Sequence, residues 1–282
     1  MKESYYFVWN PDTELLTIFG VPLRYYTLMW FVGLALGYIV VKRLYKKQQI
    51  ADSVFEPLAF YCFFGIVLGA RLGHCLFYEP GYYLSHPAEM LLPIKIEAEG
   101  GFSFTGYAGL ASHGGTLGLM IALCIYSYRN KINLWTVLDN IAIATPIAAC
   151  FIRIGNFINS EIIGKPTNAD WGVVFVREDI IPRHPAQLYE ALAYLIIFIF
   201  GLVIYRVKGT NIHKGFYFGF CLTTIFVFRF FVEFLKERQV DFESEMLLDM
   251  GQLLSIPFIV IGLFCMLYKN TSSIKIKKSL YL

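Results

Sequence analysis

Seven apolar stretches, each long enough to cross a membrane, run through this chain of 282 residues, near 22–42, 56–78, 108–129, 134–158, 186–206, 214–236 and 249–268. A helix needs about 20 predominantly apolar residues to traverse the hydrocarbon core of a bilayer, where backbone polar groups find no water. The pattern predicts an all-α integral membrane protein with seven transmembrane helices, in a single polytopic domain over 1–282. Composition agrees: 57% of the residues are hydrophobic and only 16% are charged, against about 25% charged in soluble domains. A cytosolic enzyme, a secreted disulfide scaffold and a disordered chain are excluded.

The formal net charge of +3 does not point to nucleic acid. Basic residues fall in short clusters between apolar runs, with no basic face or aromatic-interleaved stripe. Cys62, Cys75, Cys124, Cys150, Cys221 and Cys265 each stand alone in apolar stretches, without CxxC spacing or a nearby His cluster. They read as small buried hydrophobes rather than metal ligands or disulfides. The N-terminal segment contains Asp12 and Glu14 and no apolar core, so it is not read as a signal peptide. Glu56-Pro57 is read as opening the second span, and Asn133 and Asp249 as caps of the fourth and seventh.

Orientation follows from Lys and Arg in the loops, which are in excess on the cytoplasmic side. Lys42, Arg43, Lys46 and Lys47 follow the first span, Arg129 and Lys131 the third, and Arg206, Lys208 and Lys214 the fifth. Lys269, Lys275, Lys277 and Lys278 follow the seventh, whereas the opposite loops are acidic. The N-terminus is therefore expected outside and the C-terminus in the cytoplasm, with the longest outer segments at about 79–107 and 159–185. Residues 86–97 mix apolar and charged positions and read as lying along the outer interface. Glycines recur at four-residue spacing (Gly33 and Gly37; Gly65, Gly69 and Gly73; Gly215 and Gly219), which lets helix backbones approach closely in lipid.

The informative residues are polar ones placed inside the bilayer, where a charge is expensive and usually faces a partner or a cavity. Arg71, Arg153 and Arg229 qualify, all in the outer halves of their spans. His113 begins the third helix and Tyr25 and Tyr26 begin the first, at the same level. Each has a plain structural alternative. Arg71 is near enough to the boundary to snorkel, and Arg229 has the i,i+4 spacing to pair with Glu233. Arg153 and Asn156 share a helix face, with Asn159 and Glu161 just beyond; Asp139 reads as a helix-terminal or packing residue. Arginine matches phosphate with paired donors and stays charged, and phosphate at outer-leaflet depth belongs to a phospholipid head group. Ser112-His113-Gly114-Gly115 opens a helix, where free N–H groups also favour an anion. A GxSxG elbow, HExxH, a Walker loop and a carboxylate-rich metal site are all missing from the sequence. His184, in RHPAQLYE, has no second His or Cys near it in sequence.

The motifs resemble one known family. RIGNFINSEIIGKP (153–166) is similar to the signature of prolipoprotein diacylglyceryl transferases. LRYYTLMWFVG (23–33), GARLGHCLFY (69–78), SHGG (112–115), RHPAQLYE (183–190), FRFFVEFLKE (228–237) and MGQLLSIPFIV (250–260) stand around it in family order. The resemblance implies a bacterial inner-membrane enzyme with its site toward the outer leaflet. Such an enzyme moves the diacylglyceryl unit of phosphatidylglycerol onto the lipobox cysteine of a preprolipoprotein, forming a thioether and releasing glycerol phosphate. It implies importance for Tyr26, Arg71, His113, Arg153, Asn156, Glu161, Gly164, Arg229 and Glu233. Of these, His113, Arg153, Arg229 and Tyr26 are the expected catalytic residues. Arg71, Asn156, Glu161, Gly164 and Glu233, with Gly114 and Gly115, are the expected substrate-binding ones. No cofactor and no metal is expected. Two features depart from the family pattern: TGYAGLA separates the GGFSF run from His113, and Arg24 stands where many relatives carry histidine.

Residue chemistry fits this reaction. Expelling a phosphate ester requires stabilised charge on phosphate oxygens, which arginines supply. The attacking thiol must become a thiolate, and a histidine can take its proton. His113 is also placed to be a phosphate ligand. The alternative from another class is an outer-leaflet anionic-phospholipid transporter or binding protein, which needs a polar path to the cytoplasmic side. Apart from Asp139, the chain offers little of one.

Overall fold

The computed structural model describes residues 6–18, 21–92, 94–96, 101–104, 109–238 and 246–268. Ten α-helices form among the described residues: α1 (Tyr25–Lys47), α2 (Asp52–Phe55), α3 (Leu58–Phe77), α4 (Pro80–Tyr83), α5 (Pro87–Leu91), α6 (Ser112–Arg129), α7 (Leu134–Ile158), α8 (Ala186–Lys208), α9 (Phe216–Val232) and α10 (Met250–Leu267). Seven short strands accompany them: β1 (Phe7–Trp9), β2 (Glu14–Ile18), β3 (Val21–Arg24), β4 (Ile94–Ile96), β5 (Phe102–Phe104), β6 (Val173–Phe175) and β7 (Pro182–Arg183).

Six segments are long and apolar enough to cross a membrane: Tyr25–Lys47, Asp52–Phe77, Leu134–Ile158, Ala186–Asn211, Phe216–Leu235 and Met250–Leu267. The protein is therefore a mostly helical, multi-pass membrane protein, consistent with the all-α expectation, with short strands added among its loops. The third expected span, 108–129, is helix α6, but its 18 residues open with Ser112-His113-Gly114-Gly115-Thr116 and close with Tyr126-Ser127-Tyr128-Arg129, too polar together to join that set. Helix edges differ from the hydropathy edges for local reasons. The first helix starts at Tyr25, not near 22, because Val21–Arg24 pairs as an antiparallel hairpin with Glu14–Ile18. Pro57 caps α3, which begins at Leu58.

Two of the expected caps form. Asn133 Oδ1 accepts the Trp135 N–H at 3.0 Å before α7. Asp249 and Gln252 make a reciprocal capping box on α10, satisfying two N–H groups the helix cannot satisfy itself.

The chain divides into two compact units, each described here by itself: Tyr45–Val137, and Met1–Leu44 together with Leu138–Leu282. In the first, α3 and α6 cross almost backbone to backbone. A Cβ added at Gly73 would stand 2.7 Å from Gly114 Cα, and one at Gly118 2.7 Å from Gly69 Cα. Neither position accepts a side chain. β4 and β5 form an antiparallel pair in the same unit.

In the second unit β1 pairs parallel with β6, which pairs antiparallel with β7. Trp9 donates its indole N–H to the Phe157 carbonyl at 2.9 Å and packs with Phe157, Phe175 and Val173. That apolar cluster fixes the small sheet at the C-terminal end of α7. Asp139 acts as a cap across elements: its carboxylate accepts N–H groups of Gly215 and Phe218, at 2.8 and 2.9 Å, where α9 begins. Gly219 meets Gly262 on α10, and Gly33 meets Ala148 on α7, whereas a Cβ at Gly37 would touch nothing within 4 Å. The spacing argument thus fails at Gly37. Burial of all six thiols is also corrected, since Cys75, Cys150 and Cys221 are buried while Cys124 is exposed on α6. Next to hydrocarbon an exposed apolar side chain carries no penalty.

Candidate functional site

The polar residues around the end of α7 form one connected network. Arg153 lies near the C-terminus of α7, with its Nε 3.0 Å from Glu190 Oε2 on α8 and its Nη1 donating to Asn156 Oδ1 at 3.3 Å. Asn156 donates in turn to Glu161 Oε2 at 3.0 Å, and Asn159 donates to Glu161 Oε1 at 3.0 Å. Gln187 Nε2 donates to the Glu161 carbonyl at 2.7 Å. The i,i+3 spacing of Arg153 and Asn156 gives the first link. The next comes from a strained turn, in which Ser160 (φ 59°) and Ile162 (φ 57°) adopt the left-handed conformation and turn Glu161 back onto the helix end. A β-branched residue in that region is a true outlier, and such strain concentrates at functional sites.

Gly164 ties this turn to the end of α9. It forms an antiparallel bridge with Lys236, and its N–H donates to the His184 carbonyl at 3.0 Å. A Cβ at Gly164 would lie 2.6 Å from His184 Cβ and 2.8 Å from the Leu235 carbonyl oxygen, so no other residue fits. Lys236 is buried, 3.1 Å from Glu233 Oε2 and 4.0 Å from Glu190 Oε1. Glu233 therefore does not pair with Arg229. It stands where α9 tightens into a 3-10 turn over Glu233–Leu235, and there i and i+3 eclipse, which selects Lys236. Tyr194 of α8 lies within electrostatic reach of both Arg153 and Arg229. Tyr26, in the first turn of α1, lies against α7, where a Cβ at Gly155 would be 2.9 Å from its ring.

Outside the spans, Arg183 clamps the surrounding loops. It pairs with Asp179 and Glu237, each at 2.6 Å, and donates to the Gly164 carbonyl at 3.2 Å. The guanidinium hydrogen bonds hold the Asp179 carboxyl below its usual range, and the two carboxylates push Arg183 up. His184 Nδ1 lies 3.2 Å from the Tyr189 hydroxyl.

The unit Tyr45–Val137 holds the other candidates. Arg71 is 5% exposed and its guanidinium is taken up by protein groups. Its Nη2 and Nε donate to the carbonyls of Glu89 and Met90 at 2.6 and 3.2 Å, and its guanidinium stacks 4.7 Å above the Tyr83 ring. The carbonyls at the end of α5, left without helical partners, draw the side chain inward. Glu89 is held below the usual carboxylate range by the Tyr82 hydroxyl and the Ile96 N–H. His113 is the second residue of α6 and its side chain is exposed. Gly114 is placed in the α3–α6 crossing, and the Gly115 N–H bonds the Ala111 carbonyl at 3.0 Å.

Three members of the network were missed in the sequence: Gln187, Glu190 and Lys236. A signal was present, because Glu190 is a carboxylate inside an apolar span and an intramembrane charge marks a site by default.

The geometry can be set beside known proteins. The family described as prolipoprotein diacylglyceryl transferase matches residues 13–268. A protein of Bacteroides fragilis, named phosphatidylglycerol–prolipoprotein diacylglyceryl transferase, is 58% identical over 268 residues, covering 95% of this chain and 97% of its own. A Tolumonas auensis protein of the same name is 42% identical, covering 92% of this chain and 96% of its own. One from Porphyromonas gingivalis is 40% identical, covering 92% and 93%. Matched over nearly its whole length by a family and by relatives of that identity, the chain belongs to the prolipoprotein diacylglyceryl transferases.

Proposed function

We propose that this chain transfers the diacylglyceryl unit of phosphatidylglycerol to the lipobox cysteine thiol of preprolipoproteins. The thiolate sulfur attacks the glyceryl carbon, the C–O bond to the phosphate breaks, and glycerol phosphate leaves with the electron pair. Arg153 and Arg229 stabilise charge developing on the phosphate oxygens, and His113 takes the thiol proton. Tyr26, Arg71, Asn156, Glu161, Gly164, Glu233, Gly114 and Gly115 shape and hold the substrate site. The names of the relatives support both substrates. The observation that carries the reading is Arg153, a guanidinium on an apolar helix braced by Glu190 and Asn156.

The loop charges support seven spans in one polytopic domain of the bacterial inner membrane, N-terminus outside and C-terminus in the cytoplasm. Segments 79–107 and 159–185 then lie on the outer side and the site faces the outer leaflet. The test is incubation of the purified protein with phosphatidylglycerol and a lipobox peptide. The cysteine is expected to gain the mass of one diacylglyceryl unit, and Arg153→Ala to abolish that gain while the protein remains in the membrane. Lipid binding without mass addition would overturn the transferase reading.

A further inference from the structure

Gln187 and Glu190 lie three residues apart on the first turns of α8, and both are fully enclosed. Glu161 fixes the orientation of two amides beside them. It takes the Gln187 Nε2–H on its carbonyl at 2.7 Å and the Asn159 Nδ2–H on its carboxylate at 3.0 Å. Turning either amide over would set oxygen against oxygen, so the two ends are not interchangeable. Gln187 Oε1 and Asn159 Oδ1 are thereby directed away from Glu161, and no donor among the described residues reaches either. Asn156 is the contrast, since its oxygen already accepts from Arg153.

Glu190 repeats the pattern. Its oxygens stand 3.0 Å from Arg153 Nε and 4.0 Å from Lys236 Nζ, but neither has a donor aligned for a hydrogen bond. Enclosed acceptors without donors are costly and rare. The amide oxygens of Gln187 and Asn159, and Glu190 Oε1 with Lys236 no nearer than 4.0 Å, suit a ligand that brings donors with it. Arg153 and Lys236 already balance the Glu190 charge and repel a second cation, which disfavours an ammonium group. A neutral donor suits these oxygens better, and a polyol phosphate offers hydroxyls for them together with a phosphate for Arg153 beside Glu190.

We propose that Gln187 and Glu190, with Asn159 beside them, accept hydrogen bonds from hydroxyl groups of a polyol phosphate head group and so select the lipid donor. This inference rests on the transfer reading above. In phosphatidylglycerol the donors are the two hydroxyls of the head-group glycerol, the part that leaves. Gln187 is then a specificity residue, and Glu190 both braces Arg153 and reads the head group.

The test measures transfer to a lipobox peptide from phosphatidylglycerol and from phosphatidylpropanol, which has the same phosphate and charge but no hydroxyl. For the wild type, kcat/KM is expected to fall on the order of tenfold to a hundredfold with phosphatidylpropanol. Gln187→Ala is expected to bring the ratio between the two lipids toward one, a change that a general packing defect would not produce. Equal wild-type rates from both lipids would overturn the inference and leave the transfer reading standing. No transfer from phosphatidylglycerol would overturn both. Full discrimination retained by Gln187→Ala would remove Gln187 from the proposal. Should that variant fail to accumulate, inhibition of the wild type by glycerol 1-phosphate and by propyl phosphate decides. Stronger inhibition by the glycerol ester supports the proposal, and equal inhibition overturns it.

Discussion

Arg153 and His113 ask different things of the protein around them. A guanidinium needs bracing, and Arg153 has it from Glu190 and Asn156. An exposed imidazole at a helix start needs only to meet a thiol. If His113 is the base, His113→Gln is expected to keep lipid affinity and lose about 10²–10⁴-fold in transfer rate. The defect should shrink toward pH 9.5, because a thiol with an ordinary pKa of about 8.5 then ionises unaided. Transfer rate and lipid affinity measured from about pH 6 upward separate the roles. Weakened affinity with an unchanged pH profile would make His113 a phosphate ligand. At this scale the sequence showed Arg153, Asn156 and Glu161, because polar groups stand out against an apolar span. It did not show that Lys236 would take Glu233 from Arg229, since that choice depends on a local tightening of the helix end.

Among the elements, α3 and α6 depend most on the absence of side chains. Gly69, Gly73, Gly114 and Gly118 bring two backbones together, the arrangement that replaces hydrophobic driving force inside a bilayer. Gly69→Leu is expected to separate the pair and lower the yield of folded protein. Gly37→Ala, with open space around it, should be neutral or raise helix stability by up to about 1 kcal/mol. Thermal unfolding of both variants in detergent checks the contrast, and equal losses would discredit the crossing as a source of stability. Hydropathy located the helices well, and α7 begins and ends where its apolar run does. It missed the start of α1, because pairing of β3 with β2 is a contact made outside the helix.

For the whole molecule, the distribution of Lys and Arg decides which side of the membrane each loop occupies. A reporter active only in the cytoplasm is expected to work when fused after Leu282 and to be silent when fused at Pro166. The reverse pattern would move the Arg153 network to the cytoplasmic leaflet and end the proposed reaction. The division into two units was not legible from hydropathy, which marks apolar segments but not their neighbours. The family match over 13–268 spans segments of both units.

Asp139 carries a consequence for biogenesis. Its carboxylate caps α9 through Gly215, 76 residues later in the chain. A ribosome adding about 5–20 residues per second needs several seconds to make that stretch. During this interval α7 enters the membrane with an acidic group whose partners have not yet been synthesised. Asp139 lies in the second turn of α7, so until α9 emerges its carboxylate depends on water or protein at the membrane boundary for the hydrogen bonds that α9 later supplies.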